Sequence, residues 1–394
     1  VADETPPQLR ELKAYFLNDK KEEIGKKPVA IIKEKGIWKV KGDTVRFGAW
    51  RVAFGLKAYD FQTGSSSNLG IYHLRLAVDD VEEYDYRMEG LDFDDSRYVN
   101  AHMDYAAKKA FNAYFHRLWV LPGNKLPSYQ TEGESGVVNL YKEKPRKITI
   151  TAADAFGNES ELTFWAIRDE NMSEPEAEPF NYAFQWDTEN KLSNEGLRLD
   201  LPRGCLYQNL YLNLSWEQEP NGKFLSAIHR VQDNRTPVHR FFPLAIRPES
   251  PLPASLRSKA FVGYMEKPGS KPQNAGGHWE GDWLETKTRS LGNFAILVDT
   301  EPPTITPVLF KKDMTKAEKM SFRISDNFET TGTADGLDWR ATVDGRWILM
   351  EYDLKKDRLT HVFDEKIGPG EHSLRLVVKD DRGNERVFEQ IFVR

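Results

Sequence analysis

The eight histidines of the chain are the first candidates for metal chemistry. They are His73, His102, His116, His229, His239, His278, His361 and His372. A zinc site needs neutral imidazoles that converge on one ion, and many zinc peptidases supply them from fixed spacings such as His-Glu-x-x-His. No two of these histidines are separated by one residue, and His-Glu-x-x-His does not occur. The spacing therefore gives no support for zinc.

Nucleophilic catalysis and phosphate binding also lack their usual patterns. Neither the Gly-x-Ser-x-Gly nucleophile elbow nor the Gly-x-x-x-x-Gly-Lys phosphate loop occurs. The single cysteine, Cys205, lies in a strand-like run, LPRGCLYQNLYLNLSW, without a nearby histidine that could activate it. We expect Cys205 to be a buried small side chain and the chain to be no enzyme.

Carboxylates are abundant, with adjacent pairs at Asp79-Asp80, Asp94-Asp95 and Asp380-Asp381. A glycosidase needs two carboxylates about 5 to 9.5 Å apart, but turns and solvated loops also use acidic residues. Asp-rich turns supply the oxygen ligands that calcium prefers, so calcium at the ends of β-sandwiches remains open. Turn capping already accounts for the presence of Asp60, Asp154 and Asp380 in these turns. The sequence predicts no cofactor.

The stretch RYVNAHMDY, Arg97 to Tyr105, places several polar side chains in one short segment. The candidate docking residues are Arg97, Tyr98, Asn100, His102 and Asp104. On one helix, Arg97, Asn100, His102 and Asp104 would not share a face. An ordered loop bonded to its own domain is one interpretation, and a docking surface for another domain or a ligand is the other.

Two tryptophans, Trp279 and Trp283, lie four residues apart in the Gly-rich stretch GGHWEGDWLETKTRSLGNF. Exposed indole rings could stack on sugar rings, whereas buried rings would pack a core or a hairpin. Exposure of both rings on one face would favour carbohydrate binding.

Two parts of the chain carry the same marks in the same order. Each begins with Asp, two residues and Pro-Pro, at Asp3 and at Asp299. The matches that follow are Asp60 with Asp326, Asp79 with Asp344, and Asp154-Gly157-Asn158 with Asp380-Gly383-Asn384. The first copy is longer by about 30 residues before Asp60 and by about 39 between Asp79 and Asp154. Pro-Pro suits the entry to an edge strand, because proline cannot donate to a sheet ladder.

Alternating apolar and polar residues with Asp-Gly and Asp-x-x-Gly turn signals predict an all-β chain of tandem immunoglobulin-like β-sandwiches. The predicted organisation is an expanded sandwich at 1–169, a linker at 170–180, a middle β-sandwich at 181–298 and a C-terminal sandwich at 299–394. The longest helical pattern, Asp94 to Tyr114, predicts an insertion of one or two short helices, capped by Asp95 or Ser96.

The composition argues against nucleic acid and against a membrane-spanning helix. The formal net charge is -6, the pI is about 5.9, and the charges are mixed rather than clustered. No apolar run reaches the length of a transmembrane helix. The first residue is Val1, without an apolar leader, which predicts a processed chain or part of a longer protein.

The stretches YDFQTGSSSNLGIYHLRLAVD, DDSRYVNAHMDY and DAFGNES resemble the region that follows the catalytic domain in M23 (lysostaphin-like) zinc endopeptidases of Bacteroidetes. The resemblance spans nearly the whole chain, and RYVNAHMDY is its most specific part. It implies an extracytoplasmic location, in the periplasm or at the cell surface, and an upstream peptidase domain in the parent protein. The zinc-binding positions of that family have no counterpart here, so no catalytic residue is carried over.

These observations lead to two functional hypotheses. The first is a non-catalytic accessory region that positions or restricts a cell-envelope zinc endopeptidase acting on peptidoglycan. The second is a surface carbohydrate-binding or adhesion module that uses Trp279 and Trp283. The expected partners are therefore the peptidase domain and a cell-wall polymer or glycan.

Overall fold

The structure is a computed structural model that describes residues 3–130, 135–142, 144–173, 175–218 and 222–394. The described chain is nearly all β, in multiple sheets of immunoglobulin-like type, and the predicted fold class is confirmed. It divides into two compact units. The first comprises Val1–Asn190, Pro202–Asn213 and Asn234–Arg240, and the second comprises Lys191–Leu201, Leu214–Asp233 and Phe241–Arg394.

Strands before residue 170 are β1 (Gln8–Leu17), β2 (Glu23–Val29), β3 (Ile31–Glu34), β4 (Ile37–Phe47), β5 (Arg51–Tyr59), β6 (His73–Val78), β7 (Val81–Arg87), β8 (His116–Arg117), β9 (Val138–Asn139), β10 (Arg146–Ala153) and β11 (Glu159–Arg168). Strands of the middle region are β12 (Tyr182–Phe184), β13 (Asn190–Ser193), β14 (Leu197–Leu201), β15 (Leu210–Leu212), β16 (Leu214–Glu217), β17 (Ile228–Val231), β18 (Phe242–Ile246), β19 (Ala260–Met265), β20 (Gln273–Asn274), β21 (His278–Glu280), β22 (Trp283–Thr288) and β23 (Gly292–Val298).

The remaining strands are β24 (Thr304–Leu309), β25 (Lys319–Ser325), β26 (Asp338–Val343), β27 (Arg346–Ile348), β28 (Glu351–Asp353), β29 (Arg358–Val362), β30 (Glu371–Lys379) and β31 (Glu385–Val393). The helices are a 3-10 turn (Ser96–Tyr98), α1 (Val99–His102), α2 (Tyr105–Phe111) and α3 (Ala254–Arg257).

The two repeated regions have the same sheet topology. In the first, one sheet runs β7-β6-β10-β11 and the other contains β1 next to β5. In the last, the corresponding sheets run β27-β26-β30-β31 and β24-β25-β29-β28. Alternating burial along β11 in the first region and along β30 in the last places one face of each strand in its core, as the sequence pattern indicates. The repeat in the sequence is therefore a repeat in structure.

The extra residues of the first copy extend both of its sheets. β2 pairs with β1, while β3 and β4 add beyond β11, and β4 runs parallel to β11. As a result, β1 is an inner strand, whereas the sequence predicts an edge strand after each Pro-Pro. β24 does lie at an edge, and its Pro307 is compatible with that position.

The hairpin turns form where the sequence predicts them. Asp344 and Gly345 both have positive φ angles, 50° and 76°, and they connect β26 to β27. Asp79 and Asp80 do the same in the first copy, with φ angles of 52° and 66°. A positive φ at both central residues gives the turn twist that a two-residue hairpin requires.

Aromatic packing between facing sheets fills the first core. Phe54 on β5 and Phe164 on β11 meet edge to face, with ring centroids 5.3 Å apart, and both are fully buried. Burying a phenylalanine side chain contributes about 1.5 to 3 kcal/mol to folding. Such pairs join the two sheets without requiring polar partners.

The middle region forms two five-stranded sheets in the second unit, with orders β13-β14-β18-β22-β21 and β16-β17-β23-β19-β20. The stretch NLYLNLSW, predicted as one strand, is divided into β15 and β16, which belong to different sheets. Cys205 is buried as predicted, but it lies in the turn after β14 rather than in a strand.

The helical insertion consists of a 3-10 turn and two short α-helices, in line with the one or two short helices that the sequence predicts. Asp95 makes no side-chain capping bond, and Met103 adopts an extended conformation that ends α1. Asp104 then caps α2, since its Oδ1 accepts a 3.0 Å hydrogen bond from the Ala107 amide.

Candidate functional site

Arg97 and Tyr98 contact segments of the first unit that follow residue 200 in the chain. Arg97 donates from Nε to the His239 carbonyl and from Nη2 to the Val238 carbonyl, both at 2.9 Å. The Arg97 carbonyl accepts a 2.7 Å hydrogen bond from the Tyr207 hydroxyl. The Tyr98 ring stacks on the His239 ring at 4.3 Å between centroids. These contacts join three separate stretches of chain in one unit.

His102 is a buried, neutral member of a polar cluster. Its Nε2 lies 2.9 Å from Nδ1 of His116, and its Nδ1 lies 3.1 Å from the Tyr129 hydroxyl. The Tyr86 ring stacks on it at 4.1 Å. Burial lowers the pKa of His102 well below its usual value and that of His116 to about 4. The two imidazoles hydrogen-bond each other, so these facing nitrogens do not converge on an ion.

Asp104 is fully buried and carries a charge. Its Oδ2 accepts a 2.8 Å hydrogen bond from the Tyr15 hydroxyl and lies 3.4 Å from Lys13 Nζ and 3.5 Å from Lys26 Nζ. Burial acts to raise its pKa, but the charge of Lys26, the next largest effect, and further charges and hydrogen bonds outweigh burial. The pKa is consequently lowered to about 2. Asp104 thus connects α2 to β1 by electrostatics.

Asn100, on α1, completes the predicted docking group. Burial raises the pKa of Tyr207, and a hydrogen bond with the Asn100 side chain is among the smaller effects that act to lower it. The structure therefore places all five predicted residues in contacts within the first unit. The prediction that they also dock another domain or a ligand stays a prediction.

Trp279 and Trp283 lie on one hairpin, β21 and β22, but they line different cavities. The Trp279 indole donates a 2.8 Å hydrogen bond to the Arg257 carbonyl, and the Arg257 guanidinium lies 4.2 Å from its ring centroid. The Arg198 guanidinium lies 3.9 Å from the ring centroid of Trp283. Both rings are half-buried. They do not form a joint stacking platform, because each ring contributes to its own cavity.

A cleft of about 910 Å³ opens beside Trp279 in the second unit. Trp216 on β16, which is 63% exposed, lines the same cleft. In the run NLYLNLSW, Trp216 is in phase with the buried Leu212 and Leu214, so the alternation indicates a buried ring and gives no signal for an exposed one. Trp216 and Trp279 come from different sheets, so only the folded middle region brings them to one cleft.

The rim of the cleft carries both signs of charge. Its acidic lining residues and arginines are Glu195, Glu217, Arg247, Glu249, Arg257 and Asp282. Arg247 lies 3.6 Å from Asp282, and Arg257 donates a 2.6 Å hydrogen bond to the Gly281 carbonyl. Carboxylates offer acceptors and guanidinium groups offer donors, so a neutral ligand rich in hydroxyl groups would find both.

His229 lines the cleft with a buried imidazole ring. It is 3% exposed, and neither ring nitrogen has a hydrogen-bond partner in the described part of the protein. Burial lowers its pKa to about 4, so the ring is neutral near pH 7. Buried polar atoms without partners are rare in folded proteins. Among the described residues that line this cleft, His229 is the one whose buried side-chain nitrogens lack hydrogen-bond partners.

Trp283 lines a second, smaller cavity of about 530 Å³. Arg198, Asp200, Glu280 and Glu285 are among its other lining residues. This cavity contains one aromatic ring, with Arg198 over it, whereas the larger cleft contains two rings, of which Trp279 has Arg257 over it.

Three groups of side chains in the described residues bring potential metal ligands within 4.8 Å of one another. They are His278 with Glu280 and Glu285, Asp3 with Asp60 and Asp154, and Asp299 with Asp326 and Asp380. The first group is largely exposed on the β21–β22 hairpin. The two aspartate groups are largely buried, and they occupy equivalent positions in the two repeated sandwiches.

The family model of the Zu5-like domain matches residues 181–299, less than half of the chain. No curated protein matches the chain. The chain is similar to solved fibronectin(III)-like modules of CbhA from Clostridium thermocellum, with 6% identity over 92% of this chain and 93% of that chain and a TM-score of 0.19.

The chain is also similar to extracellular domains 3–5 of Drosophila OTK, with 8% identity over 93% of this chain and 96% of that chain and a TM-score of 0.17. A Ca2+-stabilized, ice-binding adhesin of an Antarctic bacterium shows 10% identity over 89% of this chain and 71% of that chain, with a TM-score of 0.16. With TM-scores this low, none of these similarities bears on function.

Among the described residues, we find no helix with the length and hydrophobicity needed to span a membrane.

Proposed function

We propose that the chain is a non-catalytic, extracytoplasmic accessory region that binds a cell-envelope saccharide in the cleft of Trp216 and Trp279. The observation that carries this proposal is a 63% exposed tryptophan in a cleft that contains a second indole ring. A large exposed aromatic side chain leaves apolar surface in water, which is unfavourable unless a partner covers it.

The chemistry of the cleft fits a sugar better than an apolar ligand. Indole rings offer flat faces to the C–H groups of a pyranose, and the rim carboxylates and arginines offer hydrogen bonds to its hydroxyl groups. The ring nitrogens of His229, which have no hydrogen-bond partner, add one donor and one acceptor beside the same cleft. The proposal assigns no catalysis to the chain, because Cys205, His102 and His116 are buried.

The test measures binding of chitohexaose, and of soluble glycan chains from peptidoglycan, to the full chain by calorimetry. Trp216→Ala and Trp279→Ala should each weaken binding about tenfold or more, since loss of one stacked ring removes on the order of 1.4 kcal/mol. Trp347→Ala is the matched control, because Trp347 is similarly exposed, at 59%, but lies on β27 outside the cleft. Equal affinity of the wild type and both cleft variants would reject the proposal.

A second candidate function is the positioning of an M23-type peptidase domain. Two exposed phenylalanines favour it, since Phe93 and Phe111 are 92% and 81% exposed in the insertion that contains RYVNAHMDY. An adjoining domain of the parent protein would cover such side chains. The test is the intact mass and zinc content of the native protein from its own cells. A mass well above 45.4 kDa with about one zinc supports this role, whereas an equal mass without zinc rejects it.

A further inference from the structure

Each of the two repeated sandwiches gathers three aspartates at one end. Asp3, Asp60 and Asp154 form the first group, and ligand atoms of all three lie within 4.8 Å of one another. Asp60 directly follows β5, and Asp154 directly follows β10, which belongs to the other sheet. Asp3 comes from the segment that enters the sandwich. The group therefore joins both sheets to the incoming chain.

The second group repeats this arrangement residue for residue. Asp326 directly follows β25, and Asp380 directly follows β30. Two residues separate Asp299 from Pro302, as two separate Asp3 from Pro6. Its ligand atoms also lie within 4.8 Å of one another. Two copies of one fold have thus kept the same three carboxylates at the same place.

Turns fix one oxygen of a carboxylate in each group. Oδ1 of Asp154 accepts hydrogen bonds from the Phe156 and Asn158 amides at 2.8 and 2.9 Å. In the second copy, Oδ1 of Asp380 accepts from the Arg382 and Asn384 amides at 2.9 and 2.8 Å. These hydrogen bonds satisfy Oδ1 of Asp154 and of Asp380, and Oδ2 of each aspartate has other partners.

An asparagine then ties each turn to the entering segment. Asn158 Nδ2 donates to Asp154 Oδ2 at 2.7 Å and to the Asp3 carbonyl at 2.9 Å. Asn384 Nδ2 donates to Asp380 Oδ2 at 2.8 Å and to the Asp299 carbonyl at 3.0 Å. The carboxylates are consequently held in fixed positions before any ligand arrives.

Other carboxylate oxygens of the two aspartate groups have no hydrogen-bond partner. No hydrogen-bond donor of the described protein reaches Asp60 Oδ1, Asp299 Oδ2 or Asp326 Oδ1, all of which are buried. Asp60 is 6% exposed and Asp299 is 1% exposed. Asn327 Oδ1, next to Asp326, is also buried without a donor. Leaving a buried charged group unsatisfied is costly, so these atoms point to a partner that the chain itself does not provide.

The charges of each group are not balanced by a basic side chain. Among the described residues, no lysine, arginine or histidine forms an ion pair with any of the six aspartates. Burial and the neighbouring carboxylates raise the pKa of Asp60, and the same two effects raise that of Asp326 to about 6. A hydrogen bond from Thr63 has the opposite effect on Asp3, whose pKa is lowered. Like charges this close repel strongly in a partly buried site.

We propose that each aspartate group binds one calcium ion, at the end of the first and of the last sandwich. The ligands are oxygen atoms only, which calcium prefers, whereas zinc prefers nitrogen and sulfur. A divalent cation would satisfy the unpartnered buried oxygens and neutralise the mutual repulsion at the same time. It would also fix the entry segment, through Asp3 or Asp299, to the ends of two strands.

The test titrates CaCl2 into the metal-stripped full chain by calorimetry and follows its thermal unfolding, with MgCl2 in a parallel arm. We expect two bound calcium ions per chain, a higher unfolding temperature and weaker binding of magnesium. Asp60→Asn and Asp326→Asn should each reduce the stoichiometry from two to one, and the double variant should bind none. Asp79→Asn and Asp344→Asn are the matched controls, because these aspartates occupy equivalent turns outside the groups.

The stability of the variants without metal provides an independent readout. In EDTA, Asp60→Asn should be at least as stable as the wild type, because it removes a charge from a repelling group. With calcium present, the order should reverse. A wild type whose unfolding temperature does not respond to millimolar calcium, or an Asp60→Asn Asp326→Asn variant that still binds two ions, would overturn the proposal.

Discussion

The hydroxyl of Tyr15 donates a 2.8 Å hydrogen bond to Oδ2 of Asp104, across 89 residues of sequence. Both side chains are fully buried, and the bond connects the first long strand to the cap of α2. Lys13 and Lys26, which lie on β1 and β2, contact the same carboxylate. A buried charge thus attaches the helical insertion to the sheet beneath it.

Removing either partner should destabilise the first unit. We expect Asp104→Ala to lower the free energy of unfolding by about 3 kcal/mol, because it removes the cap of α2 and the buried carboxylate that Lys13 and Lys26 contact. Tyr15→Phe should cost about 1.5 kcal/mol or more, the contribution of a hydrogen bond to a charged group. Urea unfolding monitored by thiol labelling of the buried Cys205 reports on this unit, and exposed Tyr141→Phe is the control. A loss equal to that of Tyr141→Phe would show that the bond is not stabilising.

The same carboxylate should make the first unit sensitive to acid. The pKa of Asp104 is about 2 when folded, compared with 3.8 as its ordinary value. A lowered folded pKa contributes stability that is complete above pH 4 and is lost as the pH falls toward 2. The stability advantage of the wild type over Asp104→Asn should therefore shrink by roughly 2 kcal/mol between pH 4.5 and pH 2. A constant difference over that range would contradict the assignment.

His372 should titrate at a higher pH than an ordinary histidine. Its Nδ1 lies 2.7 Å from Asp344 Oδ2 and its Nε2 lies 2.8 Å from the Gly368 carbonyl, so both nitrogens face acceptors. The hydrogen bond to Asp344, followed by that to Gly368, raises the pKa of His372. The raised value stabilises the fold below the ordinary pKa of about 6.5, and this contribution disappears as the pH rises through the folded pKa.

Proton NMR titration of the His372 ring measures this shift directly. In Asp344→Asn the pKa should move back toward 6.5, because the carboxylate charge is gone. Asp353→Asn, which changes a different exposed carboxylate of the same sandwich, should leave it unchanged. Identical titration curves for the wild type and Asp344→Asn would be inconsistent with the pairing.

Gly136 should not tolerate a side chain. Its φ angle is +86°, and a Cβ atom there would lie 1.9 Å from the Leu118 carbonyl oxygen. We expect Gly136→Ala to destabilise the first unit by about 3 kcal/mol or more, since backbone strain and a backbone clash combine. Gly64→Ala is the control, because Gly64 has a φ angle of +80° but no neighbour within 4 Å, and it should cost only about 1 kcal/mol. Equal losses in thermal unfolding would mean that strain alone decides the outcome.

The repeated architecture could be predicted because it depends on local signals. Asp344-Gly345 marks a hairpin by its backbone preference, and the alternating run GLRLDLP and the continuous apolar run NFAILVD became β14 and β23. The helix boundaries in the insertion were harder to predict. The Asp104 side chain accepts a hydrogen bond from the Ala107 amide, and this bond competes with a continuous helix. A pattern of helix-forming residues does not reveal that interruption.

The candidate site depended on contacts that no local pattern encodes. Trp279 and Trp283 are four residues apart, but the turn between them directs each ring into a separate cavity. Trp216 joins Trp279 from another sheet, more than 60 residues away in sequence. The aspartate groups had a visible signal, because Asp precedes both Pro-Pro pairs. Only the fold shows that Asp3 and Asp299 meet the matched turns.

The region matched by the Zu5-like family contributes residues to both units. Residues 181–190, 202–213 and 234–240 belong to the first unit, where Tyr207 and His239 contact Arg97 and Tyr98. The rest of the matched region builds sheets of the second unit. Recombination that exchanged this region for a foreign one would therefore remove partners that the first sandwich needs. In evolutionary terms, we expect the middle segment to be inherited together with the first sandwich rather than exchanged as an independent domain.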